Sequence, residues 1–98
     1  MNGAFRVRTN PHFDRLARRL HKQHRSSFTD RYAEAIAILS SDPSNSSGRY
    51  DIRKLASVAQ DEDGQWRLRL GQFRFRYDGG NGEVRLLYCG LRRDDTYR

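Results

Sequence analysis

Residues 65–77 read Gln-Trp-Arg-Leu-Arg-Leu-Gly-Gln-Phe-Arg-Phe-Arg-Tyr, and that run restricts the fold more than any other stretch. Trp66, Leu68 and Leu70 alternate with Arg67 and Arg69 before the glycine; Phe73, Phe75 and Tyr77 alternate with Arg74 and Arg76 after it. Strict alternation of this kind predicts two half-buried β-strands, because successive side chains of a strand point to opposite faces. Gly71 and Gln72 fall where a tight turn fits. One face of the pair is then aromatic and aliphatic, and the other carries four arginines. Arginine stays charged and presents a planar fork of donors that matches phosphate. Such a face is either a solvated surface or a seat for a polyanion.

The rest of the composition points the same way. The chain has 98 residues and a formal net charge of +7, and Lys22 and Lys54 are its only lysines. The excess of arginine favours geometric recognition of phosphate over a diffuse cloud of charge. A basic surface kept for solubility, or as cover for an acidic protein partner, is the competing reading. This length suits one domain, spanning 1–98, in which a sheet and a helical layer share one core. Cys89 is the only cysteine, so no intramolecular disulfide and no cysteine-rich metal site is expected. No apolar run approaches a membrane span, and no apolar signal-peptide core opens the chain, so a cytoplasmic setting is expected. No cofactor is expected either.

The elements follow in order. Phe5-Arg6-Val7-Arg8-Thr9 alternates as a short strand. Asn10 followed by Pro11 reads as a helix start, with Asn capping free N–H groups and Pro giving up no hydrogen bond at the first helical position. Phe13, Leu16, Ala17 and Leu20 make one apolar stripe, and Arg15, Arg18, Arg19 and Lys22 lie outside it. The helix should fade at residues 23–25. A second helix begins at Ser26-Ser27 or at Thr29 and buries Phe28, Tyr32, Ala35, Ile36 and Leu39. Asp42-Pro43 heads a serine-rich loop over residues 40–48. Residues 50–59 suit either a helical turn or an extended lead-in. Residues 78–82, Asp-Gly-Gly-Asn-Gly, signal a hairpin, and residues 83–89 form a more continuously apolar and hence central strand. The expected class is α+β: a short N-terminal strand, a two-helix hairpin, then a three-stranded antiparallel meander, with the helices on one face.

This order and its residues resemble the RelE/ParE superfamily of toxins. The likeness rests on four segments: Phe5-Arg6-Val7 with Pro11-x-Phe13; Arg53-Lys54-Leu55; Trp66 through Tyr77; and the ending Arg92-Arg93-Asp94-Asp95-Thr96-Tyr97-Arg98. RelE-like members are ribosome-dependent endoribonucleases that cut mRNA, and ParE-like members poison DNA gyrase. The basic residue a few positions before a near-terminal tyrosine resembles the RelE side. The resemblance implies Arg67, Arg69, Arg74, Arg92 and Tyr97 as catalytic candidates, and Arg76, Arg93 and Lys54 as RNA contacts. It also implies mRNA on the ribosome and a cognate antitoxin as partners, with operator DNA bound by the toxin–antitoxin complex.

Cleavage by the RNA's own 2′-hydroxyl needs a base, positive charge for the phosphorane-like transition state, and an acid for the leaving oxygen. The arginines can supply the charge. Family members often have lysine where Arg67 and Arg69 stand, and arginine is a poor base. The base is then to be sought in Tyr97, Asp94, Asp95 or Glu62, or on the ribosome. His12, His21 and His24 lie in or beside the first helix, which should pack on the face away from the arginines, and His21 and His24, three residues apart, have no nearby third ligand for a metal. Two other functions fit the same residues: a ParE-like gyrase inhibitor with no chemistry of its own, and a non-catalytic nucleic-acid-binding relative.

Overall fold

Asn10 starts the first helix through its own side chain. Its Oδ1 accepts a hydrogen bond from the Phe13 N–H at 2.7 Å, with Pro11 at the first helical position. The structure is a computed structural model that describes residues 4–55 and 64–92. Within it β1 spans Arg6–Arg8, α1 Pro11–His24, α2 Ser26–Ser41, β2 Ile52–Lys54, β3 Trp66–Leu70, β4 Phe73–Gly80 and β5 Glu83–Leu91. Both helices fall where the apolar spacing puts them. The break between them is one residue, Arg25, at φ 52°, a left-handed conformation that a non-glycine residue adopts at some cost. Its N–H still donates to the His21 carbonyl, and its own carbonyl accepts from Phe28 and Thr29.

The fold is α+β, with two helices and a five-stranded mixed sheet ordered β1-β5-β4-β3-β2. This corrects the expected three-stranded meander in two respects. β1 joins the sheet by pairing parallel with β5, Val7 opposite Val84. Residues 52–54 form an added edge strand antiparallel to β3, which resolves the ambiguous stretch as extended there. β5 is interior, but β4 occupies the middle position. Both hairpin turns are two residues long. Gly71 takes φ 60° at the first central position of the β3–β4 turn, and Asn81-Gly82 takes φ 54° and 76°, so β4 runs on through Gly80 rather than ending at Tyr77.

The core lies between the helices and one sheet face. Phe13, Ala17 and Leu20 of α1 and Phe28, Ala35, Ile38 and Leu39 of α2 are buried with Leu68, Phe73, Phe75, Tyr77, Val84, Leu86 and Cys89. Leu16, Tyr32, Ile36 and Trp66 pack at its margin. Phe28 sits edge-on to Phe73 at 5.3 Å between ring centres and stacks over Phe75 at 6.3 Å. Burying a side chain of this size is worth ~1.5–3 kcal/mol, so this aromatic contact is a main tie between hairpin and sheet. Tyr77 is fully buried, and its hydroxyl donates to the Pro43 carbonyl at 2.7 Å, which fastens the loop after α2 to the core. That loop is self-braced: Asp42 accepts from the N–H groups of Ser46 and Ser47 and from the Ser47 hydroxyl. Among the described residues no helix is long and apolar enough to cross a membrane.

Candidate nucleic-acid interface

The second sheet face is built by strand register. Residues directly opposite on paired strands share a face. Arg53 of β2 stands opposite Arg67 of β3, Arg67 opposite Arg76 of β4, and Arg76 opposite Tyr88 of β5. One row across four strands therefore reads Arg53, Arg67, Arg76, Tyr88. The adjacent row pairs Arg69 with Arg74 and Arg74 with Gly90. Neighbouring strands lie ~4.8 Å apart, so the guanidinium stems of the first row are attached at that interval.

Within these two rows three like-charge pairs thus stand directly opposite one another: Arg53 with Arg67, Arg67 with Arg76, and Arg69 with Arg74. Like charges placed directly opposite one another destabilise a sheet. The structure offers little internal compensation. Arg67 is only 7% exposed, yet its Nη1 has no hydrogen-bond partner among the described residues; Nη2 reaches Asp51 Oδ1 at 3.4 Å. Burial and the cation of Arg69 lower the proton affinity of Arg67; Asp51 opposes them, and Arg53 and Arg92 add to the lowering. Arginine nevertheless stays charged at neutral pH. Arg76 donates from Nη2 to the Gly64 carbonyl at 2.7 Å, while its Nε is buried without a partner. Arg74 lies against the Tyr88 ring, its guanidinium carbon 5.4 Å from the ring centre, and its Nε is likewise buried and unpartnered. Arg69 is half-buried in the same row as Arg74.

The remaining predicted residues fall differently. Arg92 extends β5: its N–H donates to the Gln72 carbonyl at 2.7 Å, and Nη1 approaches the Gly71 carbonyl at 3.3 Å. Arg93 and Tyr97 lie outside the described residues, as do Glu62, Asp94 and Asp95. Lys54 lies apart from the arginines. It stands opposite Trp66, on the helix-bearing face, with its ammonium 5.7 Å from the Trp66 ring centre. The alternation that places Arg53 among the arginines carries Lys54 away from them. The histidines sit on the helix side, with His21 Nδ1 2.9 Å from Thr29 Oγ1 and His24 edge-on to Phe73. Among the described residues no group of three or more His, Cys, Asp or Glu side chains could hold a metal ion.

Arg53 and Tyr88 were missed by the pattern. Arg53 alternates with Ile52, a signal too short to stand alone. Tyr88 is hidden by a register shift: Arg76 pairs with Tyr88 but Tyr77 pairs with Leu86, so Leu87 is an extra residue in β5. Such a bulge reverses the alternation beyond it. Leu86 and Cys89 are both buried in the core, and Tyr88 joins the arginines. No family model, no curated protein and no solved structure matches this chain.

Proposed function

We propose that the arginine face binds RNA through its phosphates and that the chain acts as a RelE-like toxin, a ribosome-dependent mRNA endoribonuclease held in check by an antitoxin. The observation that carries this reading is the row Arg53-Arg67-Arg76, three cations set directly opposite one another on adjacent strands, with Arg53 exposed. A row of cations that repel one another is relieved by a chain of anions laid along it. Phosphate oxygens accept from guanidinium forks and remove the repulsion together. Guanidinium forks also suit the negative charge that develops on the non-bridging phosphoryl oxygens during attack by the 2′-hydroxyl, where one preorganised donor is typically worth around 3–4 kcal/mol. An acidic antitoxin segment laid over this face would neutralise and block it.

A gyrase-directed or purely binding role is favoured by one observation. The sheet-face carboxylates among the described residues are engaged: Asp51 with Arg67, Asp78 with the Gln65 N–H, and Glu83 with Arg8 at 3.0 Å. Mapping mRNA 5′ ends in translating cells, with wild type and Arg74→Ala, separates the readings. Translation-dependent cuts at fixed positions within codons, absent in the variant, support the nuclease. Growth arrest with intact mRNA and dependence on the gyrase allele supports the alternative.

A further inference from the structure

We infer that Tyr88, Gly90 and Arg74 form a nucleobase pocket at the end of the arginine row, so that the face takes single-stranded nucleic acid with at least one base held against Tyr88. This deepens the proposed function and rests on its reading of the face as a phosphate seat. The geometry supplies three independent supports. First, the row Arg53-Arg67-Arg76 ends in an aromatic ring rather than in another cation. A backbone crossing the strands along that row would deliver a base to the Tyr88 ring. Second, Gly90 is the position over which the ring lies: a Cβ there would fall 2.5 Å from the Tyr88 hydroxyl oxygen. The absence of a side chain lets the ring lie along the sheet beside Arg74 instead of standing away from it. Third, a cleft of about 190 Å³ opens at this point, lined by Leu16, Arg19 and Leu20 of α1 and by Arg74, Tyr88 and Gly90 of the sheet.

That lining suits a nucleotide in both its parts. Two leucines and a phenol ring offer apolar surface to a flat base, and two guanidiniums offer charge to its phosphate. The cleft exists because β1 pairs only with residues 83–85 of β5, leaving the edge of β5 beyond that point without a strand neighbour among the described residues. Main-chain groups there are available to the polar edge of a base. Duplex nucleic acid cannot use such a site, because its bases are stacked and paired.

The test compares binding of a short oligoadenylate with an abasic oligonucleotide of equal phosphate number, at one salt concentration, for wild type, Tyr88→Ala and Tyr88→Phe. Wild type is expected to prefer the base-bearing strand by roughly 5- to 100-fold, the range that one stacked base supports. Tyr88→Ala should bring the two affinities together, and Tyr88→Phe should keep the preference. Equal wild-type affinity for both strands, or an unchanged preference in Tyr88→Ala, overturns the pocket and leaves the arginine row standing. Binding of neither strand overturns the pocket and the phosphate seat together.

Discussion

Arg67 and Arg76 face each other across β3 and β4, and each keeps one guanidinium nitrogen buried without a hydrogen-bond partner among the described residues: Nη1 of Arg67 and Nε of Arg76. The protein thus holds, in its free state, an arrangement that stability alone would remove.

Arg67→Met tests this directly. Replacing a buried ion pair by apolar side chains of similar volume is often neutral or stabilising by ~1–4 kcal/mol, and here only Arg67 is the buried member, since the Asp51 left behind is exposed to solvent. The thermal midpoint of the variant should equal or exceed that of wild type, while its affinity for inorganic polyphosphate falls. In wild type, polyphosphate at a hundred times its dissociation constant should add about 2.7 kcal/mol of stability. Thermal unfolding with and without polyphosphate checks both outcomes.

Arg53→Ala and Lys54→Ala form a matched pair. Arg53 lies in the arginine row and Lys54 on the opposite face over Trp66. Losing a phosphate contact lowers the slope of log affinity against log salt by about 1. Arg53→Ala should show that change and Lys54→Ala should not, as measured by a salt titration of RNA binding.

The contrast between these neighbours shows what the sequence could convey. The helices, the Asn10 cap and the two long hairpins were legible because each is specified by local spacing: Asn10 before Pro11, the stripe through Phe13 and Leu20, the alternation around Gly71. β2 was not, since three residues at an edge, Ile52–Lys54, take their state from the strand they pair with. Parallel pairing of β1 with β5 is likewise a property of distant segments. In the site, Arg67, Arg69, Arg74 and Arg76 were legible as one face, whereas Tyr88 was concealed by the extra residue Leu87, whose effect appears only once β4 and β5 are paired.

Tyr77→Phe removes the buried donor to the Pro43 carbonyl and leaves that acceptor without its partner. The expected cost is ~1–3 kcal/mol. For a domain of this size each kcal/mol lowers the thermal midpoint by roughly 4–8 °C. Tyr77 points into the core, so RNA affinity should be unchanged, and calorimetry beside a binding titration checks the separation.

Asp42 gives an acid-side signature. The Ser47 hydroxyl, the N–H groups of Ser47 and Ser46, and the charge of Arg49 hold its carboxyl below the ordinary value of 3.8. A lowered folded-state pKa stabilises the protein above the unfolded value, and that contribution is lost as pH falls through the folded value. Ser47→Ala should therefore raise the Asp42 pKa in an NMR titration and reduce the dependence of stability on pH below about 4.

Cys89 should be silent in the folded protein. It is 2% exposed, and burial is the main cause that raises its thiol to about 12. The thiolate is the reactive form, so alkylation by iodoacetamide at mildly alkaline pH should track unfolding rather than native exposure. Labelling rates that rise with denaturant in step with loss of tertiary signal are the expected result.

The register of Val7 against Val84 has a consequence for the order in which the molecule is made. A ribosome releases the helical hairpin early, and at ~5–20 residues per second the strands that cover Phe28 follow only after several seconds. β1 waits longest, because its partner is the last strand, and distant pairings of this kind close slowly. The arginine row is assembled from β2, β3 and β4 together, with Tyr88 added by β5. No partial chain ending before β4 holds the completed row, so the face proposed as a phosphate seat is assembled only after both helices and β1, β2 and β3 have been made.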